Sequence, residues 1–424
     1  MKFGIFYEHQ LPKPWREGDE HRLFQEALDQ VELADGLGFD YAWEVEHHFL
    51  DEYSHSSAPE VFLAACSQRT KNIRLGHGIV QMPPRFNHPA RVAERVATLD
   101  LVSSGRVDWG TGESSAALEL EGFGIPVKEK REAWREATEQ AANMLAMTPY
   151  PGFEGQYFQM PCRNVVPKPM QKPHPPLWVA CSRRETIHMA ARCGIGALTF
   201  AFVDPEEASK WVSDYYDILK SECEPIGHAI NPNVAMVTGF SCHEDQAEAE
   251  RRGIDGFRFF GFALGHHYVF GDHKPGHSDI WAKFEKVGGE QRNTPSCIGT
   301  PDHIRKHLRT FAEAGVDQVI FIQQGGRNKH EHICDSLKLF ANDVMPEFKR
   351  GEAEREKRKL DELGPYLEAA MKRKQWMEPL DEEHTPVVQA WGRRIAEQPE
   401  TLQKNMRQVL EKATGVGDKA DRKD

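Results

Sequence analysis

The amino-acid sequence predicts a closed (β/α)8 barrel, or TIM barrel, with inserted loops and a C-terminal helical extension. Short apolar runs alternate with amphipathic helical stretches along most of the chain, which is the pattern of βα units around a parallel sheet. Eight such runs occur, and eight strands alternating with helices are typical of a closed barrel. The 424 residues are enough for one such domain, of about 250 residues or more, and an appendage. An open, doubly wound sheet is the alternative that the same alternation allows.

The predicted strands and helices follow one another in regular order. The strands are residues 2–7, 39–45, 72–82, 106–112, 177–182, 195–200, 233–240 and 317–324. Helices are predicted at residues 20–36, 58–69, 89–101, 130–147, 183–192, 204–222 and 300–315, with one more before residue 260. Gly38 is placed to end the first helix, and Pro59 and Pro89 are placed to begin the next two.

Two long segments interrupt this alternation. Residues 149–176 are too rich in proline for a helix and too long for an ordinary βα loop, so they predict an inserted flap. Residues 260–298 are rich in glycine, histidine and aromatic residues and form the second insertion. We expect both segments to lie near the substrate.

The composition changes after the eighth strand. Mixed charges replace apolar residues, which predicts a barrel domain at residues 1–348 and a charged helical extension at residues 349–424. The extension is either a set of solvated helices or a surface that packs on a second subunit through Tyr366, Trp376 and Trp391. A homodimer or homotetramer is expected.

Composition also excludes several classes of partner. Lys and Arg number 53 against 65 Asp and Glu, and the resulting charge of -12 argues against nucleic acid or an anionic membrane. The eight cysteines are scattered without a C-x-x-C pair, as expected for reduced thiols. The N-terminal stretch becomes polar too early for a signal peptide, and no apolar run approaches the roughly 20 residues that span a bilayer. We expect a cytoplasmic protein.

The polar residues of the predicted barrel are concentrated where its strands end. Reactive groups of such barrels lie at the C-terminal ends of the strands. The residues at these positions are Tyr7, Glu8 and His9; Glu46, His47 and His48; Gln81 and Met82; Gly110 to Ser115; and Cys181, Ser182 and Arg183. The mouth of the barrel is therefore the predicted site.

Histidines beside acids first indicate a divalent metal. Neighbouring residues of a strand point to opposite faces, however, so His47 and His48 cannot easily reach one ion. We expect no metal.

Six blocks of the sequence carry a family resemblance. They are MKFGIFYEHQ, FDYAWEVEHHF, RTKNIRLGHGIVQMPPRFNHPARVAERVATLDLVSSGRVDWGTG, FGIP, PPLWVACS and GTPDHIRKHLRTFAEAGVDQVIF. In this order and spacing, over residues 1 to about 348, the chain resembles the bacterial luciferase-like, flavin-dependent monooxygenases. The tail beyond residue 350 has no counterpart in that pattern.

The resemblance implies a (β/α)8 barrel and a two-component reaction. Members of the family take reduced FMN from a separate flavin reductase and react it with dioxygen to a flavin hydroperoxide, which oxygenates a small organic substrate. The family's active-site histidine corresponds to His47, with Glu46 as its acidic neighbour and second catalytic candidate. With an unperturbed pKa near 6.5, His47 would donate or accept a proton at neutral pH.

The resemblance also assigns residues to the cofactor. The contact with the flavin ring, often a bulge with a non-proline cis peptide, corresponds to Gly78 and Ile79. The phosphate site corresponds to Ser182, Arg183 and Thr186, at the start of a helix whose N–H groups and dipole favour an anion. Without the resemblance, the alternative interpretation is that Ser182 is the N-cap of this helix and the arginines are in solvent.

The sequence departs from the family pattern after the fourth strand. Luciferases carry a cysteine and then an arginine there, and this chain has Gly112 and Glu113. A carboxylate cannot pair with a phosphate, so either Arg183 or Arg184 replaces that charge or Glu113 faces the substrate. Light emission and an aldehyde substrate are therefore not carried over.

The expected substrate pocket lies over the flavin and is mainly aromatic, which favours a hydrophobic or aromatic substrate. Its candidate residues are Tyr7, Trp43, His48, Tyr157, Phe158 and Phe200. Two other functions remain open: a deazaflavin-dependent hydride transfer on the same barrel, and a flavin-binding protein without catalysis. The presence of His47 with an acidic neighbour weighs against the second.

Overall fold

A computed structural model describes residues 1–200, 205–287, 296–390 and 399–414. Eight parallel strands close into a barrel in the order β1, β2, β3, β4, β7, β8, β9, β12, and β12 pairs with β1. These strands are β1 Lys2–Tyr7, β2 Tyr41–Glu44, β3 Arg74–His77, β4 Val107–Thr111, β7 Leu177–Cys181, β8 Gly196–Thr199, β9 Val234–Thr238 and β12 Gln318–Ile322. The predicted closed barrel is confirmed, and the open sheet is excluded because β1 has a partner on both sides.

Helices alternate with these strands along the chain, and further helices follow the last strand. They are α1 Asp19–Leu37, α2 Pro59–Arg69, α3 Pro89–Val102, α4 Ala117–Gly122, α5 Lys130–Ala146, α6 Arg184–Arg192, α7 Pro205–Glu222, α8 Gln246–Gly265, α9 Ile280–Val287, α10 Pro301–Glu313, α11 His330–Asp343, α12 Met345–Lys349, α13 Glu352–Arg373 and α14 Glu400–Thr414. Pro59 and Pro89 begin their helices, and Gly38 ends α1 in the left-handed conformation that glycine adopts readily.

Both insertions contain regular structure that the sequence did not predict. The proline-rich segment forms an antiparallel hairpin of β5 Tyr150–Glu154 and β6 Gln159–Arg163. In the second segment, α8 runs on to Gly265 and passes directly into a π-helix, His266–Phe270. A short parallel sheet of β10 Phe240–Cys242 and β11 Cys297–Gly299 lies outside the barrel. The helical residues at 260–265 show that the apolar period of α8 continues into the predicted insertion.

Two tryptophans fill the lower part of the barrel interior. The rings of Trp43 and Trp178 pack edge to face, with centroids 5.4 Å apart at 81°. Trp43 lies over Gly76, where a Cβ atom would come within 2.1 Å of its ring, and Trp178 lies over Gly196 in the same way, at 2.4 Å. Glycine at these strand positions makes room for the large rings, so the floor of the barrel is a close-packed core.

The chain divides into two compact units, Met1–Pro379 and Leu380–Asp424. Helix α13 belongs to the first unit, because Leu363 and Ala370 are buried and the ammonium of Lys359 donates to Asp317 at 2.8 Å. Residues 349–379, which the sequence analysis assigned to the extension, therefore pack with the barrel. In the described part of the chain, every helix is too short or too polar to cross a lipid bilayer.

The aromatic residues proposed to meet a second subunit have different surroundings. Tyr366 lies under the ammonium of Lys220, 5.6 Å from the ring centre. Trp376 packs edge to face on His228, with ring centres 5.1 Å apart. Trp391 lies outside the described residues. Packing on a second subunit stays a prediction.

The packing of Trp43 on Gly76 generates a stability prediction. Gly76→Ala should destabilise the fold by about 1–3 kcal/mol, because the added methyl group overpacks the barrel interior. Gly36→Ala is the matched control, since Gly36 lies in α1 with no atom within 4 Å of a new Cβ. We expect the control to be neutral or to stabilise by up to about 1 kcal/mol. Thermal unfolding of both variants measures this, and equal midpoints would contradict the packing argument.

Candidate active site

A cavity of about 460 Å3 opens at the C-terminal ends of the barrel strands. It is lined from β1 by Glu8, from the loop after β2 by His47 and Tyr53, and from the π-helix by Tyr268. Several residues that the sequence analysis selected also line it, namely Ile79, Gly112, Glu113, Ser182, Arg183, Thr186 and Phe200. The closed barrel therefore brings residues from six strand ends into one cavity.

His47 lies at the bottom of this cavity with its two ring nitrogens in different environments. Nδ1 is 2.9 Å from Oε1 of Glu119, and Nε2 is 3.7 Å from Oε2 of Glu8. The side chain is only 4% exposed. Its backbone N–H donates to the carbonyl of Ser56 at 2.8 Å, which holds the loop after β2 in place. Glu119 thus orients the ring, and Nε2 faces the cavity.

The two carboxylates determine the charge of His47. Burial opposes a charge there, but Glu119 and Glu8 outweigh it and raise the pKa of His47 from 6.5 to about 9. For Glu119, burial is outweighed by the charge and hydrogen bond of His47 and by hydrogen bonds from the Ser114 hydroxyl and the His48 N–H, which together lower its pKa. His47 is therefore an imidazolium at neutral pH. This value is higher than the ordinary pKa near 6.5 on which the sequence analysis relied.

Glu8 is a second titratable group of the cavity. Its carboxylate is 3% exposed, and Tyr53 donates to Oε1 at 3.0 Å. Burial raises the pKa of Glu8 to about 7, and the charge of His47 and the hydroxyls of Tyr53 and Ser54 oppose this only in part. A carboxyl group with that pKa is half ionised near neutral pH, which suits general acid–base work.

The support of Glu119 comes from strained backbone. Ser114 follows β4 with φ of 60°, a left-handed conformation that costs about 1–3 kcal/mol for a residue with a side chain. Its hydroxyl donates to Oε2 of Glu119 at 2.5 Å, and the N–H of His48 donates to Oε1 at 2.8 Å. The strained turn therefore fixes the carboxylate that fixes His47.

Glu46 and His48 point away from the cavity. Residues along the extended segment alternate in direction, so Trp43, Val45 and His47 face the barrel interior, and Glu46 and His48 face the surrounding helices. Glu46 accepts from the N–H of Gln81 at 2.7 Å and lies 3.0 Å from Nε2 of His48. Glu46 braces two strand ends. The structure therefore does not bring this second catalytic candidate into the cavity.

The bulge after β3 differs from the family expectation. The cis peptide bonds of the described residues all precede prolines, so the Gly78–Ile79 bond is trans. A Cβ on Gly78 would lie 3.2 Å from Val45, so this glycine faces the barrel core. Ile79 lines the cavity, and a Cβ on Gly112 would lie 2.6 Å from the Ile79 side chain. Gly112 therefore makes room for Ile79.

Another part of the cavity carries basic side chains. Ser182, Arg183 and Thr186 lie at the start of α6. Arg184 is engaged by Asp214 at 2.5 Å on the outer surface, so it does not supply charge to the cavity. The missing cation comes from α5, because Arg131 forms two hydrogen bonds of 2.7 Å with Glu113.

Lys130 places a second cation beside Glu113. Its ammonium is 3.6 Å from the Glu113 carboxylate and 3.1 Å from the Ser115 hydroxyl. Two cations therefore neutralise Glu113. They explain how a carboxylate can occupy the position where luciferases carry an arginine. The sequence analysis missed Arg131 and Lys130. Their position in the first turn of α5 could have indicated that they lie near the cavity.

Five of the six residues expected in the pocket lie elsewhere. Tyr7 faces α1 and donates to Gln30 at 3.1 Å, because it alternates with the inward-facing Glu8. Trp43 lies in the barrel floor. Tyr157 donates to Glu132 at 2.8 Å, and Phe158 packs on Phe153 and His88 in the hairpin region.

His48 packs between Phe86 and Phe123, also outside the cavity. Of the expected set, Phe200 alone lines the cavity. The aromatic wall is completed by Tyr53 and Tyr268, whose rings are 6.3 Å apart. Among the described residues, no group of three or more His, Cys, Asp or Glu side chains is arranged to hold a metal ion.

The chain is similar to known proteins over most of its length. A family model described as luciferase-like monooxygenase matches residues 1–318. The oxygenase component of flavin-dependent trigonelline monooxygenase from Acinetobacter baylyi is 25% identical over 369 residues, covering 84% of this chain and 98% of that protein. Monooxygenase RslO1 from Streptomyces bottropensis has a TM-score of 0.67 and 28% identity, covering 82% of this chain and 100% of that one.

A third similarity concerns the fold alone. The coenzyme F420 dependent tetrahydromethanopterin reductase from Methanopyrus kandleri has a TM-score of 0.61 at 22% identity, covering 82% of this chain and 99% of that chain. The same barrel therefore occurs in a deazaflavin enzyme.

The His47–Glu119 pair generates a prediction for stability against pH. The pKa of Glu119 is lowered, so its contribution is present above its ordinary value of 4.5 and is lost as pH falls. The pKa of His47 is raised, so its contribution is full below 6.5 and is lost as pH rises through about 9. The unfolding midpoint of wild type minus that of Glu119→Gln should be largest between these limits, at roughly pH 5–6.

The expected loss of stability from that maximum to above pH 9 is at most roughly 3 kcal/mol. Unfolding midpoints of both proteins, measured across this range, provide the test. A difference that stays constant from about pH 5 to about pH 10 would show that the pair carries no net charge interaction.

Proposed function

Because the chain belongs to the luciferase-like monooxygenase family, we propose that it is the oxygenase of a two-component system that uses reduced FMN and dioxygen. A separate flavin reductase supplies the reduced FMN, and one oxygen atom is transferred to a small hydrophobic or aromatic organic molecule. The observation that carries this proposal is a single cavity lined both by the buried imidazolium of His47 and by Ser182, Arg183 and Thr186 at the start of α6. One relative is named as the oxygenase component of a monooxygenase, which supports the proposal of a separate reductase.

The residues of the cavity fit FMN. Hydroxyls of Ser182 and Thr186, the start of α6 and the guanidinium of Arg183 match a phosphate. Apolar side chains such as Ile79 and Phe200 suit a planar ring, and a cavity of about 460 Å3 is of the size that holds such ligands. Oε1 of Gln81 is buried and, among the described residues, lacks a hydrogen-bond partner, so it is available to a ring N–H.

Reduced FMN, when bound, supplies the electrons that activate dioxygen. The chain's own residues supply protons and shape. Glu119 holds Nδ1 of His47, which leaves the Nε2–H directed into the cavity as a proton donor at neutral pH. Tyr53 and Tyr268 pack against the ring of His47. Glu8 receives or returns a proton near pH 7.

A prediction concerns the phosphate end. Arg183→Glu should weaken binding of reduced FMN by tenfold or more, about 1.4 kcal/mol, because a carboxylate replaces a cation beside the phosphate. Arg192→Glu is the charge-matched control, since Arg192 lies in the last turn of the same helix and pairs with Glu222 at 2.8 Å. Anaerobic titration with reduced FMN gives both affinities. Equal affinities in the two variants would show that the phosphate does not bind beside Arg183.

A further prediction concerns His47. His47→Gln should still bind reduced FMN and consume dioxygen, but coupled product formation should fall roughly 100-fold or more, with hydrogen peroxide released instead. His48→Gln is the control, because His48 lies outside the cavity. Product and peroxide per FMN oxidised are measured with isotopically labelled dioxygen and a set of aromatic and hydrophobic compounds. Product yields equal to wild type would remove His47 from the reaction.

The same assay separates the deazaflavin alternative. A protein that consumes no dioxygen with reduced FMN but binds a deazaflavin tightly would contradict the proposed function.

A further inference from the structure

We propose that the substrate is a phenol, and that Glu8 and His47 together bind its hydroxyl group. The inference rests on the proposed function in placing the substrate in this cavity, and it goes beyond it by naming the group that is recognised. It is carried by one buried acceptor atom, one buried donor atom and the distance between them.

The acceptor is Oε2 of Glu8. Tyr53 satisfies Oε1 at 3.0 Å, but within the described residues Oε2 has no hydrogen-bond partner. The side chain is 3% exposed and lines the cavity. Buried carboxylate oxygens are nearly always hydrogen-bonded in folded proteins, so this atom points to a donor that arrives with a ligand.

The donor is Nε2–H of His47. Its other nitrogen is engaged by Glu119 at 2.9 Å, which leaves Nε2 for the cavity. Nε2 and Oε2 of Glu8 are 3.7 Å apart, too far for a good hydrogen bond to each other. A single oxygen atom over this pair can accept from Nε2 and donate to Oε2 with both bonds at ordinary length.

This arrangement distinguishes between polar groups. A hydroxyl both donates and accepts, so it satisfies both atoms. An ether or a ketone only accepts, and it would leave Oε2 of Glu8 unpartnered. An ammonium only donates, and it would face the positive charge of His47. The pair therefore recognises a hydroxyl group.

The surroundings select an aromatic hydroxyl. The ring of His47 is packed edge to face by Tyr268, with centroids 6.3 Å apart at 84°, and Tyr53 lies 5.8 Å away on another side. Phe200 and Ile79 also line the cavity. Aromatic side chains in this arrangement favour a planar ring.

A phenol can also give up its proton here, which an aliphatic alcohol cannot. The O–H bond breaks, the proton passes to Oε2 of Glu8, and the electron pair remains on the phenol oxygen, where the imidazolium of His47 stabilises it. A phenol has a pKa of about 10, and burial raises the pKa of Glu8 to about 7, so the difference is small enough for a neighbouring cation to bridge. The resulting phenolate ring is electron-rich and suited to accept oxygen.

Among the described residues, the charged and titratable groups around this oxygen position are Glu8, His47, Glu119, Tyr53 and Tyr268. The Glu113–Arg131 pair and Arg183 also line the cavity, and Lys130 lies beside Glu113. Glu119 is already committed to His47 and Ser114. Glu8 is therefore the proton acceptor in this set.

Binding of 4-nitrophenol and 4-nitroanisole to the flavin-free, full-length protein tests the proposal. The two probes have similar shape, but the anisole lacks the hydroxyl proton. We expect 4-nitrophenol to bind at least about tenfold more tightly, and its bound form to show the phenolate band at a lower pH than the free probe. Equal affinities, or tighter binding of 4-nitrobenzylamine than of 4-nitrophenol, would overturn the proposal.

Variants identify the residues. Glu8→Gln should reduce the preference for 4-nitrophenol to about twofold or less, and His47→Gln should raise the pH at which the bound probe ionises. Glu46→Gln is the matched control, because it changes a buried carboxylate on the neighbouring strand end that does not reach the cavity. A preference retained in Glu8→Gln would overturn the assignment. If Glu8→Gln does not fold, the two-probe comparison in wild type still decides.

These measurements need neither flavin nor turnover. Loss of the proposed monooxygenase activity would leave the phenol preference standing, and loss of the phenol preference would leave the monooxygenase proposal standing.

Discussion

A buried imidazolium held between two carboxylates is the interaction on which the candidate active site depends. Taking an unpaired charge out of water costs several kcal/mol, so His47 can be cationic only because Glu119 is 2.9 Å away and Glu8 is close by. Glu119 in turn needs Ser114 and the N–H of His48. The ends of β1, β2 and β4 and helix α4 are therefore linked through a single side chain.

This linkage explains where the structure is irregular. The left-handed Ser114 and the π-helix that carries Tyr268 both lie against the cavity, and departures from regular backbone concentrate at functional sites. The opposite end of the barrel is regular and tightly packed, with Trp43 and Trp178 seated on glycines. The packed core at the lower end of the barrel stabilises the fold, whereas the strained backbone lies at the C-terminal ends of the strands, around the candidate site.

The cavity carries charges of both signs among apolar side chains. Arg131 and Lys130 neutralise Glu113, and Arg183 adds a further positive charge. Glu8 and His47 form a second group of titratable side chains in the same cavity.

The sequence by itself determined the barrel and the inward direction of His47, and it placed the candidate site at the strand ends, where the structure has a cavity. These follow from local periods: apolar runs alternating with helices, and side chains alternating across a strand. The start of α6 at Ser182 to Thr186 was likewise readable, because helix starts have local signals.

Only the tertiary structure decided which distant residues meet. Glu119 lies 72 residues from His47, and closure of the barrel brings them together, so no local pattern reveals the pair or its effect on the pKa. The alternation of side chains predicts which face of a strand a residue lies on, but not how far along the barrel axis its side chain reaches. For this reason the sequence did not show that Trp43 packs in the barrel core rather than in the cavity. Arg131 reaches Glu113 because α5 packs beside β4's end, a fact of three-dimensional packing that spacing along the chain does not contain.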